Sequence, residues 1–287
     1  MKIGVLVDSF KLGVRDGIRK ARELGAEGVQ LYAVEGEMAP ENLVGSQRKE
    51  LLAYIRDEGM CVTAICGDPG GHGFADAAHN PARIERSKRI LELATDLGCQ
   101  VVTTHIGVIP ADPAHPRYHI MQDACATLGR FGERIGAKFA IETGPETARV
   151  LRGFLDGLGT RHFGVNLDPA NFVMVTDQDP VEAVEILKPW ILHTHAKDGI
   201  MLQKTDPEVI YRFFAEGGIE DMRMADYFLE TPLGGGKVDF PAYLAALRDI
   251  GYDGWLTIER ECGADPAADI GLAVRFLKEK LAGLPQG

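Results

Sequence analysis

A chain of 287 residues with 31 Lys+Arg against 42 Asp+Glu has a formal net charge of −11, a balance that opposes nucleic acid, whose phosphates are held by Lys and Arg. Hydrophobic residues at 45% can fill a core, which excludes general disorder, and no stretch approaches the ~18 uninterrupted apolar residues of a membrane span. The five cysteines (Cys61, Cys66, Cys99, Cys125 and Cys262) contain no CxxC pair, so neither a disulfide scaffold nor a zinc ribbon is expected, and a reducing cytoplasm is the default compartment.

The first apolar run ends at Asp8 and is too short for the core of a secretory leader. One unit then recurs. An amphipathic helical stretch ends in Gly, and a short β-branched apolar run follows within a few residues. It reads ARELGAEGVQLYAV around Gly25, YIRDEGMCVTAICG around Gly59, ATDLGCQVVTTHIG around Gly98 and ERIGAKFAIETG around Gly136. It returns as FLDGLGTRHFGVNLD around Gly159 and LRDIGYDGWLTIE around Gly251. Gly suits a helix C-terminus because the closing residue adopts φ > 0, and a wholly apolar run suits a parallel strand covered on both faces.

Eight strands are predicted, ending near Asp8, Ala33, Gly67, Ile106, Glu142, Asp168, His195 and Glu259. Eight alternating units read as a (β/α)8 TIM barrel, an α/β fold, with a final helix over Asp265–Leu284. A doubly wound open sheet is the competitor, but no GxGxxG turn follows the first strand. No Gly/Ser/Pro linker divides the chain, so residues 1–287 read as a single domain. The seventh connection, residues 199–236, is too long for a plain loop. It carries a helix pattern over Pro207–Ala215 and the aromatics Tyr211, Phe213, Phe214, Tyr227 and Phe228. A lid above the barrel mouth, a contact between copies in a homo-oligomer and a small local core all fit this composition.

Barrel active sites lie at the C-terminal ends of the strands. Strands five to eight end in Glu142, Asp168, His195 and Glu259, each behind an apolar run. Three carboxylates and an imidazole at one mouth repel unless a cation neutralises them, and this donor set suits Mn²⁺, Mg²⁺, Co²⁺ or Zn²⁺. Any one of these acids alone could be a loop charge, and Asp168, just before Pro169, could be a helix N-cap; the signal lies in the set. His193 shares a strand face with His195, so one ring can ligate while the other packs deeper. Lys197 could donate to a substrate oxygen or be a solvated loop charge. His72 in the GDPGGHGF loop and His105 at the end of strand four could line the pocket. Gly234-Gly235-Gly236-Lys237 lacks P-loop spacing and reads first as a turn.

The segments IETGPET, VNLDPAN, HTHAKD, ETPLGGGKVDF and GYDGWLTIE resemble the xylose isomerase-like barrel superfamily of sugar isomerases and epimerases, also titled AP endonuclease family 2. The likeness covers essentially the whole chain, and the order Glu, Asp, His, Glu is similar to ketose 3-epimerases. It implies that Glu142, Asp168, His195 and Glu259 hold one divalent metal, often Mn²⁺, and that Glu142 and Glu259 are the acid/base pair. The chain departs from the epimerases at Asn171, where they carry His, and at Lys197-Asp198-Gly199, where theirs is glycine-rich. The DNA-repair endonucleases of the group use three metals and many more histidines.

The chemistry expected is metal-dependent sugar isomerisation or epimerisation, by removal of a proton beside a carbonyl through an enediolate. An inosose-type dehydratase, or a silent metal- or sugar-binding barrel, would use the same site. His72, His105, Asn171, His193 and Lys197 are the candidate substrate contacts, with a small sugar, free or phosphorylated, as partner and neither nucleic acid nor membrane.

Overall fold

The strand ends predicted above fall within two residues of those observed in the structure, a computed structural model that describes residues 1–219 and 221–284. Residue 220 of the long insertion and the last three residues of the predicted domain lie outside the described residues. Among the described residues ten strands form: β1 Lys2–Leu6, β2 Gly28–Tyr32, β3 Cys61–Cys66, β4 Val101–Thr104, β5 Lys138–Glu142, β6 Phe163–Leu167, β7 Ile191–Ala196, β8 Asp198–Met201, β9 Phe228–Thr231 and β10 Trp255–Ile258. Eight of them close a parallel barrel in the order β1-β10-β7-β6-β5-β4-β3-β2. The six glycines that mark the units adopt φ of +65° to +89°, a region that penalises any side chain.

Burial follows the pattern of a wall covered on both sides. All five residues of β6 are buried, and helices such as Asn80–Asp96 and Pro116–Ile135 pack outside it. Register then sets the site. Glu142 pairs across with Asn166, Asn166 with His193, and Thr257 with His195. Alternation along each strand stacks Asp168 above Asn166, His195 above His193 and Glu259 above Thr257. The lower layer is buried and polar: His193 Nε2 lies 2.9 Å from Thr257 Oγ1, and Gln30 Nε2 donates to Thr103 Oγ1 at 3.1 Å.

The insertion holds the expected helix, Pro207–Ala215, and also an unexpected two-stranded antiparallel sheet of β8 and β9. Its four-residue strands are too short for a periodic signal and lie far apart in sequence, with no tight turn between them. Tyr211 Oη donates to Gly71 O at 3.1 Å, which brings the insertion helix against the loop after β3. The Gly234–Gly236 turn is organised by Asp198. Its carboxylate accepts the backbone N–H of Gly199, Gly234, Gly236 and Val238 at 2.8–3.1 Å. The last helix runs Pro266–Ala282, with Asp265 as its N-cap. No helix among the described residues is long and apolar enough to cross a membrane.

Candidate metal centre

Glu142, Asp168, His195 and Glu259 converge at the C-terminal mouth of the barrel, and one ligand atom from each lies within 4.8 Å of the others. All four side chains are buried. His195 Nδ1 is 3.4 Å from Asp168 Oδ2, 3.4 Å from Glu259 Oε2 and 3.6 Å from Glu142 Oε1. Bonds of about 2.0–2.2 Å to a shared ion place ligand atoms roughly 3–4 Å apart, so this spacing fits one cation.

Hydrogen bonding gives an independent test. Among the described residues, His195 Nδ1 and Asp168 Oδ2 are buried without a hydrogen-bond partner. Burying such an atom unpaired costs about 1–3 kcal/mol, more for a charge. A cation between them satisfies both. Asp168 also reconciles its two sequence readings. Oδ1 caps the following helical turn by accepting from Ala170 N at 2.8 Å and Asn171 N at 3.2 Å, which leaves Oδ2 for the cluster. His195 Nε2 lies 3.1 Å from Asn166 Nδ2 and 3.3 Å from Gln30 Oε1; with Nδ1 on a cation, Nε2–H would be donated to Gln30 Oε1.

The charges are unevenly balanced. Burial opposes ionisation of Glu259, but Lys197 and His195 outweigh it and hold its carboxyl well below the usual range. Burial likewise disfavours a charged His195, yet Glu259 and Glu142 raise its pKa well above 6.5. The cluster therefore attracts positive charge strongly, the property a metal site needs.

Residues 18–280 match the family model described as xylose isomerase-like TIM barrel. The chain belongs to that family. A xylose isomerase domain protein from Planctomyces limnophilus is similar, with 27% identity, a TM-score of 0.79, and coverage of 97% of this chain and 96% of that one. Two solved structures are similar at 19% identity, a level that establishes the shared fold alone. One is a probable 3-DHS dehydratase from Bacillus anthracis, with a TM-score of 0.75 and coverage of 97% and 99%. The other is a D-tagatose 3-epimerase-like protein, with a TM-score of 0.72 and coverage of 98% and 99%. An uncharacterized protein of Methanocaldococcus jannaschii is 25% identical over 191 residues, 62% of this chain, and the match spans 56% of that relative.

In this xylose isomerase-like barrel the other predicted residues separate into three groups. Asn171 Nδ2 donates to Glu142 Oε1 at 3.3 Å and to Thr143 O at 3.0 Å, so it steadies that carboxylate. His105 and Asn171 line a pocket of about 90 Å³ between the mouth and the insertion helix, with Ile210, Tyr211 and Phe214 on the far wall. His105 Nδ1 lies 3.0 Å from Asp68 Oδ2. Burial opposes its charge, but Glu142, Asp68 and Glu259 push its pKa up to about 10. Lys197 is not a solvated loop charge. It is buried, with Nζ 2.9 Å from Glu259 Oε2 and in contact with Glu261. His193 sits beneath the cluster against Thr257, and burial together with His195 keeps it neutral. His72 is half exposed, 3.5 Å from Glu216 of the insertion, in a separate cavity of about 330 Å³.

Sequence reasoning passed over Gln30, Asp68, Asn166, Glu146 and Glu230. A lone Gln in the buried run GVQLY and an Asn two places before Asp168 were detectable signals; the others show only in three dimensions. Glu146 is buried, its Oε2 has no partner among the described residues, and burial raises its pKa from 4.5 to about 8. The folded chain therefore holds an extra proton between those values, so stability falls as pH rises through that window and the loss is complete above it. Glu146→Gln should remove this slope and stabilise the protein at alkaline pH by on the order of 2–4 kcal/mol. Urea unfolding near pH 5 and near pH 8.5 measures it; an unchanged slope refutes it.

Proposed function

We propose that this barrel is a divalent-metal-dependent sugar epimerase or isomerase. The observation that carries the reading is the buried cluster of three carboxylates and His195, with unpartnered atoms aimed at one point. The ligands would be Glu142, Asp168, His195 and Glu259. When bound, the cation supplies Lewis acidity to a carbonyl and a neighbouring hydroxyl oxygen, and so stabilises an enediolate. Mn²⁺ is the preferred ion; Mg²⁺, Co²⁺ and Zn²⁺ suit the same donors.

Glu142, the last residue of β5, and Glu259, the residue after β10, are assigned the proton transfers. Glu142 accepts from the side-chain amides of Asn166 at 3.4 Å and Asn171 at 3.3 Å, with His195 Nδ1 3.6 Å away and no lysine contact among the described residues, and is assigned the first proton. Glu259, on the other face, would return a proton passed to it from the Lys197 ammonium, 2.9 Å from its Oε2 and reprotonated from solvent. Asn171 and His105 would contact the sugar, and the helix Pro207–Ala215 would cover it as a lid. A neutral sugar is favoured over a phosphorylated one. The Gly234 and Gly236 amides are committed to Asp198, and Lys197 and Arg260 are paired with buried carboxylates. Dehydration is the second reading, favoured by the Asp68–His105 pair, which keeps a proton donor at the pocket for a departing hydroxide.

The test is incubation of the Mn²⁺-loaded protein with a panel of ketoses in D₂O. Deuterium should enter the carbon beside the carbonyl, with an epimer or isomer as product. Loss of water from the labelled substrate would select the dehydratase. Absence of exchange across the panel, with metal bound, would leave a binding protein.

A further inference from the structure

Beyond the ligands, a chain of alternating buried charges runs from the metal centre into the insertion. Lys197 Nζ lies 2.9 Å from Glu259 Oε2 and 3.8 Å from Glu230 Oε2. Glu230, on β9, accepts from Arg260 Nη1 at 2.6 Å and from the backbone N–H of Glu261 at 3.1 Å. Arg260 Nε in turn donates to Asp269 at 2.9 Å. Side-chain exposure is 4% for Lys197, 3% for Glu230 and 61% for Glu261. Glu261 touches Lys197 directly, but its exposed carboxylate is screened in part by water, whereas Glu230, farther off at 3.8 Å, acts across buried protein.

Lys197 and a cation at the cluster compete for one carboxylate. An ammonium leaning wholly on Glu259 would draw that oxygen away from the ion and oppose the ion's charge. A second buried anion that shares the ammonium relieves both effects. We propose that Glu230, supplied by the insertion, is a positioning residue for the metal centre: it shares Lys197 with Glu259 and so leaves the Glu259 carboxylate available to the cation. The proposal rests on the metal reading above. It gives the insertion a role in assembling the site in addition to covering it.

The sign of the effect separates this role from simple support of the fold. Mn²⁺ is titrated into metal-stripped full-length protein and the free ion followed by electron paramagnetic resonance. Glu230→Gln should weaken binding by about 10-fold or more, the scale of outer-shell changes at metal sites. Lys197→Met should bind Mn²⁺ as tightly as wild type or more tightly, because the competitor is gone. In the double variant the loss should vanish to within ~3-fold of Lys197→Met alone, since coupled residues are not additive. Should Glu230→Gln not fold, Glu230→Asp, which keeps the charge on a shorter stem, should show a smaller loss that Lys197→Met again erases. Wild-type affinity in the Glu230 variant, or an equal loss with and without Lys197, overturns the proposal while leaving the metal reading intact. Wild-type protein that takes up no Mn²⁺ overturns both.

Discussion

Glu142→Gln and Glu259→Gln should each lower turnover by ~10²–10⁴-fold, the usual contribution of a positioned acid or base. Gln keeps the length and one ligand oxygen, so part of the metal affinity should remain. The two losses should differ in kind. Glu142, reached by neutral amides, takes the first proton from one epimer; Glu259, 2.9 Å from the Lys197 ammonium, delivers a proton to the opposite face. With that epimer as substrate, Glu259→Gln should still exchange hydrogen with solvent but not invert the centre. Glu142→Gln should lose both. Starting from the other epimer, the roles should reverse. Proton NMR in D₂O with product separation reads exchange and inversion independently. If only one glutamate matters, a one-face isomerase replaces the epimerase. If neither matters, the carboxylates do not move the proton, and His105 and Lys197 become the groups to test.

The barrel is legible in the chain because its signals are local. Gly136 ends a helix, the strand Lys138–Glu142 follows with an apolar run, and Glu142, which closes that run, lands at the mouth. The four residues of the cluster were legible for the same reason, as each lies at the end of its own strand. What escaped depends on contacts between distant segments. Lys197 reads equally well as a loop charge, because its burial depends on Glu259 and Glu230, which come from a later strand and from the insertion. The β8–β9 sheet pairs Asp198 with Thr231 across a stretch with no hairpin signal. His72, near a strand end in sequence, faces Glu216 because the insertion folds back over its loop. His193 and His195 are indistinguishable by period; depth along the strand separates a packed ring from a ligand.

Removal of a ligand charge should abolish the centre without unfolding the barrel. Asp168 offers the cleanest case because its two oxygens have different duties. Oδ1 caps Ala170 and Asn171, and Oδ2 faces the cluster. Asp168→Asn keeps a capping oxygen, and Asn is as good an N-cap as Asp, so stability should change by less than about 1 kcal/mol. The anionic ligand is lost, and with it the stabilisation of enediolate charge, so activity should fall with metal content. His195→Ala should act likewise, at a larger stability cost from the space it leaves. The direct measurement is equilibrium dialysis of the wild-type protein and Asp168→Asn against Mn²⁺, with circular dichroism on the same samples. About one Mn²⁺ per wild-type chain is expected, and a small fraction of that in Asp168→Asn at the same free concentration, with unchanged spectra. A folded Asp168→Asn protein that binds one Mn²⁺ with wild-type affinity would contradict the assignment of this cluster as the metal centre.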